Sequence, residues 1–221
     1  MGWLYFGLTA SIIEALFTIL LEKFKIDVME IFPNFKNNAE LMNLRLKSFI
    51  NAQIVTENIS SYLNDIQNLQ QTNREYYLEL FLSYALQSDS EFNFEVIFHK
   101  TLLESNNILK RDSWWSIFIH NNYTKNGKVK QIIEWSLSKE NSYHLDSNSL
   151  YLSGITLSWF LTSSNRELRD TTTKALVNLF TNNINIFLKV LKEFERVDDL
   201  YVLERLYAVG YGITLRSDKL D

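Results

Sequence analysis

The 221-residue chain has no cysteine, one proline (Pro33) and six glycines. Without cysteine there are no disulfides, thiolate nucleophiles or cysteine-ligated metals, which fits a reducing cytoplasm. All-β sandwiches and barrels need many tight turns built from glycine and proline, so their scarcity favours long helices. Excess positive charge is missing as well. A net charge of −4 gives no global pull toward nucleic acid or anionic membrane, and neither is expected as a partner.

A clean bilayer-spanning run is also lacking. The stretch 3–21 comes nearest, but Glu14 sits in its middle, at a cost of about 2.5–3.5 kcal/mol on insertion scales. Thr9, Ser11 and Thr18 surround it, and no Lys or Arg precedes it as a signal peptide would require. We read a buried helix of a soluble fold, with a membrane anchor over 3–21 as the alternative. A free amino terminus is usually polar, yet this chain opens on Trp3, Leu4, Tyr5 and Phe6. The expectation is one helical repeat domain over 1–221, cut from a longer protein.

What is present is a folded composition, with 46% hydrophobic and 22% charged residues. Aromatics reach 14% and must pack in a thick core or against a partner. Helical spacing dominates. Phe187, Val190, Leu191 and Phe194 follow the one-faced helix rule, as do Val202, Leu206, Val209 and Ile213. Asp198 or Asp199 stands ready to cap the latter helix. Val129, Ile132 and Ile133 form a smaller stripe after the turn Lys125-Asn126-Gly127. Segments 74–87 and 150–161 are apolar nearly all round, so both are expected to be covered on several sides. Tyr76, Tyr77, Phe81 and Tyr84 are read as core.

The breaks are short and rich in Asn, Ser, Thr and Asp, the residues that cap helices and turn chains. The interruption at 31–38 reads as an inter-helix loop. Helix pairs recur at roughly 35–45 residues, near the period of HEAT and armadillo arrays. The expected fold is therefore all-α, an α-solenoid of irregular HEAT/armadillo-like pairs, with a compact multi-helix bundle as the alternative.

Residues 159–180 show the unit most fully: an apolar helix end, a polar corner, then a capped amphipathic helix. Ser164 and Glu167 have the spacing of a capping box. Leu168, Thr172, Ala175, Leu176 and Leu179 share one face, and Asp170 with Lys174 is an i, i+4 pair. The run Leu168-Arg169-Asp170, followed by Lys174-Ala175-Leu176 and Leu179, resembles the second helix of a HEAT repeat. Three threonines at 171–173 stand where such repeats more often place alanine.

Three separated pieces carry a wider resemblance: Arg111-Asp112-Ser113-Trp114-Trp115-Ser116, then 159–179, then Tyr201-Val202-Leu203-Glu204-Arg205-Leu206-Tyr207-Ala208-Val209-Gly210-Tyr211-Gly212. In that order they resemble the helical region downstream of the ATPase module in large bacterial STAND-type NTPases, several of which act in antiviral defence. The resemblance covers the C-terminal half. It implies a sensor or scaffold region that contacts a foreign protein and other domains of the same polypeptide.

Motifs for chemistry are absent. No G-x-x-x-x-G-K-[ST] exists, so no Walker loop here cradles a triphosphate, and any nucleotide binding is expected in another part of the protein. His99, His120 and His144 show no metal-ligand spacing, and no serine sits in a G-x-S-x-G elbow. Neither a catalytic residue, a cofactor nor a metal is expected. Trp114 and Trp115 are candidate partner contacts because buried tryptophan anchors interfaces. Adjacent helical positions point about 100° apart, so one of the two packs inward and the other elsewhere. Arg166 and Arg169 are candidates for reading an acidic partner surface. The functional reading is a cytoplasmic, non-enzymatic scaffold or sensor that binds protein. Its competitors are a self-contained helical enzyme with a pocket between helices and the tethered protein above.

Overall fold

The computed structural model describes residues 2–52, 66, 71–104, 108–138, 140 and 144–217. Side chains of residues 2–8 lie outside the description, and the expectations placed on Trp3, Leu4, Tyr5 and Phe6 with them. The described residues are helical with no strand, as the sequence predicts. They divide into two compact units, 1–70 and 71–221.

The first unit contains α1 (Gly2–Phe24), α2 (Val28–Ile31), a 3-10 turn (Pro33–Asn37) and α3 (Ala39–Asn51). Pro33 opens the 3-10 turn, where its missing N–H costs nothing. Lys25 takes a left-handed conformation (φ 55°) just after α1, and its amide donates to the Leu21 carbonyl at 3.1 Å. Asp27 then caps α2 by accepting from the Met29 amide at 3.0 Å, while Arg45 Nε donates to the same carboxylate at 3.0 Å. Phe17, Val28, Met29 and Leu44 form the core between α1 and α3. The first helix, expected to be buried, is buried along one side only. Phe17 and Leu21 are buried, but Ile12, Leu16 and Ile19, spaced i, i+4, i+7, are exposed. Among the described residues, no helix is long and apolar enough to cross a membrane.

The second unit begins with α4 (Gln71–Tyr84), then a π-helical turn (Glu95–His99) running into α5 (Lys100–Glu104). There follow α6 (Ile108–Asp112), α7 (Trp115–Thr124), α8 (Lys128–Leu137), α9 (Ser147–Phe160), α10 (Arg166–Phe180), α11 (Ile184–Phe194) and α12 (Leu200–Thr214). α7/α8, α9/α10 and α11/α12 are packed pairs. α8 also packs on α10, α10 on α12, and α9 on α11. Asn126 supplies the left-handed residue (φ 57°) of the α7–α8 turn, which the sequence places correctly.

Part of the aromatic content forms a continuous cluster in the second unit. Phe81, Phe92, Phe94, Phe98, Trp115 and Phe160 are all buried, with Phe98 and Phe160 lying 5.4 and 6.3 Å from Trp115. The π-helical turn buries three consecutive residues, Ile97, Phe98 and His99. Tyr76 is a correction: it is exposed, whereas Tyr77 and Phe81 are core.

α9 is buried from Leu152 to Phe160, as its all-round apolar sequence predicts. Its polar side chains need no tertiary partner. Ser153, Thr156 and Ser158 each donate to the carbonyl four residues back at 2.7 Å. Gly154 is the point of closest approach, since a Cβ there would lie 2.6 Å from Phe180 Cζ and 2.7 Å from Val190 Cγ2. In α10, Thr171, Thr172 and Thr173 use the same back-bond at 2.7–2.8 Å. That is how three threonines occupy positions where alanine was the expectation.

Two local expectations at the α9–α10 corner are corrected. The N-cap is Asn165, whose Oδ1 accepts from the Leu168 amide at 3.3 Å, not Ser164. Asp170 pairs with Arg205 (2.9 Å) and Arg166 (3.4 Å), not with Lys174.

Candidate interaction groove

An open groove of about 800 Å³ runs where the starts of α6, α7 and α12 meet the α9–α10 corner. Behind its floor lies Arg111, in the last turn of α6, which bonds two of the lining carboxylates. The Arg111 side chain is only 2% exposed. Burying a guanidinium is costly unless charge and hydrogen bonds compensate it. Here Nη2 donates to Asp199 at 2.8 Å, Nε donates to Asp112 at 3.1 Å, and the guanidinium carbon lies 5.6 Å from the centre of the Trp159 ring. Asp199 is also the N-cap of α12, accepting from the Val202 amide at 3.3 Å. One buried cation thus fixes the end of α6 to the start of α12. Asp199, read from the sequence as one of two possible caps, takes that role.

The next wall is α7. Ser116 Oγ lies 3.1 Å from the Thr162 carbonyl and 3.3 Å from the Asp112 carboxylate, which ties α7 to the corner after α9. Its hydroxyl is therefore held by acceptors other than an imidazole. His120, one turn further on, lines the groove and has a buried Nδ1 with no hydrogen-bond partner among the described residues.

The opposite wall is built on Arg169 and Tyr201. Arg169 Nη1 donates to the Ser163 carbonyl at 2.6 Å, and its guanidinium carbon lies 5.0 Å from the Tyr201 ring centre. Arg205 approaches the same ring at 5.4 Å and donates from Nε to the phenol oxygen at 2.9 Å. Behind this wall, the Arg205 hydrogen bond, reinforced by Arg166, holds the Asp170 carboxyl below the usual carboxylate range. Ile108, Ile117 and Leu200 edge the groove as exposed aliphatics, with Leu200 77% exposed.

Of the candidate partner contacts, the structure brings only Arg169 into this groove. Arg166 is a solvent-facing side chain beside Asp170, 87% exposed. Trp115 has no exposure and donates from Nε1 to the Trp159 carbonyl at 3.2 Å, so it is core. Trp114 caps α7 half-buried, edge-on to Trp115 at 5.7 Å. Of the two adjacent tryptophans, Trp115 is the one that packs inward.

Sequence reasoning singled out neither Arg111 nor Tyr201 as a site residue. Both stood inside the quoted runs, but the partner of Arg111 lies 88 residues away, beyond any local spacing rule. The groove can bind through shape, aliphatic contact, hydrogen bonds and charge. His99 and His144 are elsewhere, and no group of three His, Asp or Glu side chains is placed to hold a metal ion among the described residues.

No family model, curated protein or solved structure matches the chain.

Proposed function

We propose that residues 71–221 are a segment of an irregular α-solenoid whose job is to recognise protein, with the groove as the docking surface. Support for the array comes from the α7/α8, α9/α10 and α11/α12 pairs, in which α8 packs on α10, α10 on α12, and α9 on α11. Support for recognition comes from the groove itself. Exposed Ile108, Ile117 and Leu200 edge it, and Arg111 holds Asp112 and Asp199 in place among them.

The observation that carries the reading is where the three resembling runs fall. Run 111–116 contributes Asp112 and Ser116, run 159–179 contributes Thr162, Ser163, Ser164 and Arg169, and run 201–212 contributes Tyr201. Pieces far apart in sequence that carry the resemblance to STAND NTPases all line one groove. On that basis the chain is the sensor or scaffold portion of such a protein, cytoplasmic and bacterial, without catalysis of its own. Occupation of the groove would then reposition an ATPase module elsewhere in the polypeptide.

The test is site-specific photocrosslinking in cells of the source organism, with a benzophenone side chain at position 117 or 201. The reading expects the same protein adduct from both positions, lost when Leu200→Asp is added. Adducts that persist with Leu200→Asp, or none from either position, would overturn it.

A further inference from the structure

We infer that the groove takes an extended peptide segment of its protein partner and seats a lysine or arginine side chain of that segment against Asp112 and Asp198. This deepens the recognition reading and rests on it.

The argument is one of charge complementarity. The lining carries three carboxylates, Asp112, Asp198 and Asp199, against one lining guanidinium, Arg169. Arg111, buried behind the floor, bonds both Asp112 and Asp199 and so offsets one negative charge of the two. Arg169 offsets one more. A single negative charge is left over. Asp112 keeps its side chain 38% exposed while bonded to Arg111, and Asp198 is exposed. An anionic segment would meet this surplus directly, and an apolar one would cover exposed Asp198 with no opposite charge to compensate it. A basic side chain neutralises the surplus and lays its aliphatic stem along Ile117 or Leu200.

The floor also favours a segment over a whole folded face. The groove is an open concavity of about 800 Å³, room for a few side chains of one segment rather than for a flat face.

The probe is a phage-displayed library of random heptapeptides, panned on the whole chain and in parallel on the Ile117→Asp/Leu200→Asp double variant. Circular dichroism on the double variant establishes that its helix content is retained. The inference expects sequences enriched on the wild-type chain alone, with Lys or Arg fixed at one position. Synthetic copies should bind about threefold more weakly to Asp198→Asn, as a solvent-exposed ion pair implies. Replacing the fixed base by Glu should abolish binding. Groove-dependent enrichment without a fixed base, or with an acidic one, overturns the charge assignment and leaves protein recognition standing. Enrichment that does not distinguish wild type from the double variant overturns both.

Discussion

Arg111 and Asp199, 88 residues apart in sequence, meet at 2.8 Å, and the guanidinium is almost wholly removed from water. A pair of this kind stabilises little compared with an apolar replacement of both partners, but removing one partner alone is severe. Arg111→Ala leaves the largely buried Asp199 carboxylate without its cation and frees the start of α12 from α6. The expected loss is about 2–4 kcal/mol. It is read from the urea midpoint by tryptophan fluorescence, since Trp114, Trp115, Trp135 and Trp159 all lie in the second unit.

Arg166→Ala is the contrasting case. Its bond to Asp170 spans 3.4 Å between exposed side chains, and Arg205 holds the same carboxylate more closely. Solvent-exposed pairs contribute about 0.2–1 kcal/mol. The midpoint is expected to move by less than about 0.5 kcal/mol, and a shift comparable to that of Arg111→Ala would contradict the assignment of Arg166 to the surface.

His99 sets an acid sensitivity. Burial, with Lys100 adding to it, lowers its imidazole from 6.5 to about 4, and Nδ1 accepts from Trp159 Nε1 at 2.8 Å. The folded-state value is depressed, so the unfolded chain takes up the proton first. Stability is complete above about pH 6.5, falls as pH drops toward 4, and levels off below that. The contribution is about 3 kcal/mol. Urea unfolding at pH 7 and pH 4 should show that much extra loss in the wild type over His99→Gln, whose amide oxygen can still accept from Trp159.

Gly154→Ala tests the packing of α9. Alanine gains about 1 kcal/mol of helix propensity, but its Cβ would lie within 2.7 Å of both Phe180 and Val190. Overpacking of this kind costs about 1–3 kcal/mol. Thermal melting should give a net destabilisation, and a raised midpoint would show that the two neighbours yield more readily than their burial implies.

The buried faces of the helices were largely legible because they depend on a periodicity that the chain carries locally. Val202, Leu206, Val209 and Ile213 are buried as their spacing requires, and so are Leu168, Thr172, Ala175, Leu176 and Leu179. The cap of α10 was misplaced by one residue because Ser163, Ser164 and Asn165 are all competent to cap. What separates them is tertiary, since Ser163 is buried and its carbonyl accepts from Arg169. Tyr76 looked like core because its neighbours are, and period alone does not reveal which flank of α4 lacks a covering helix. The groove was the least legible part. Arg169 was singled out by its position at a corner. Arg111 reads locally as an ordinary surface arginine, and its burial follows only when Asp199 and Trp159 converge on it.

The polar content of α9 has a consequence for how the second unit holds its register. Ser153, Thr156 and Ser158 spend their hydroxyls on their own helix, so none of them anchors α9 lengthwise. The rod is instead bolted at its far end, where Trp159 takes a bond from Trp115 and gives one to His99, and keyed midway by the notch at Gly154. Filling that notch or cutting that end should let the rod slip along its axis with every one of its hydroxyls still satisfied.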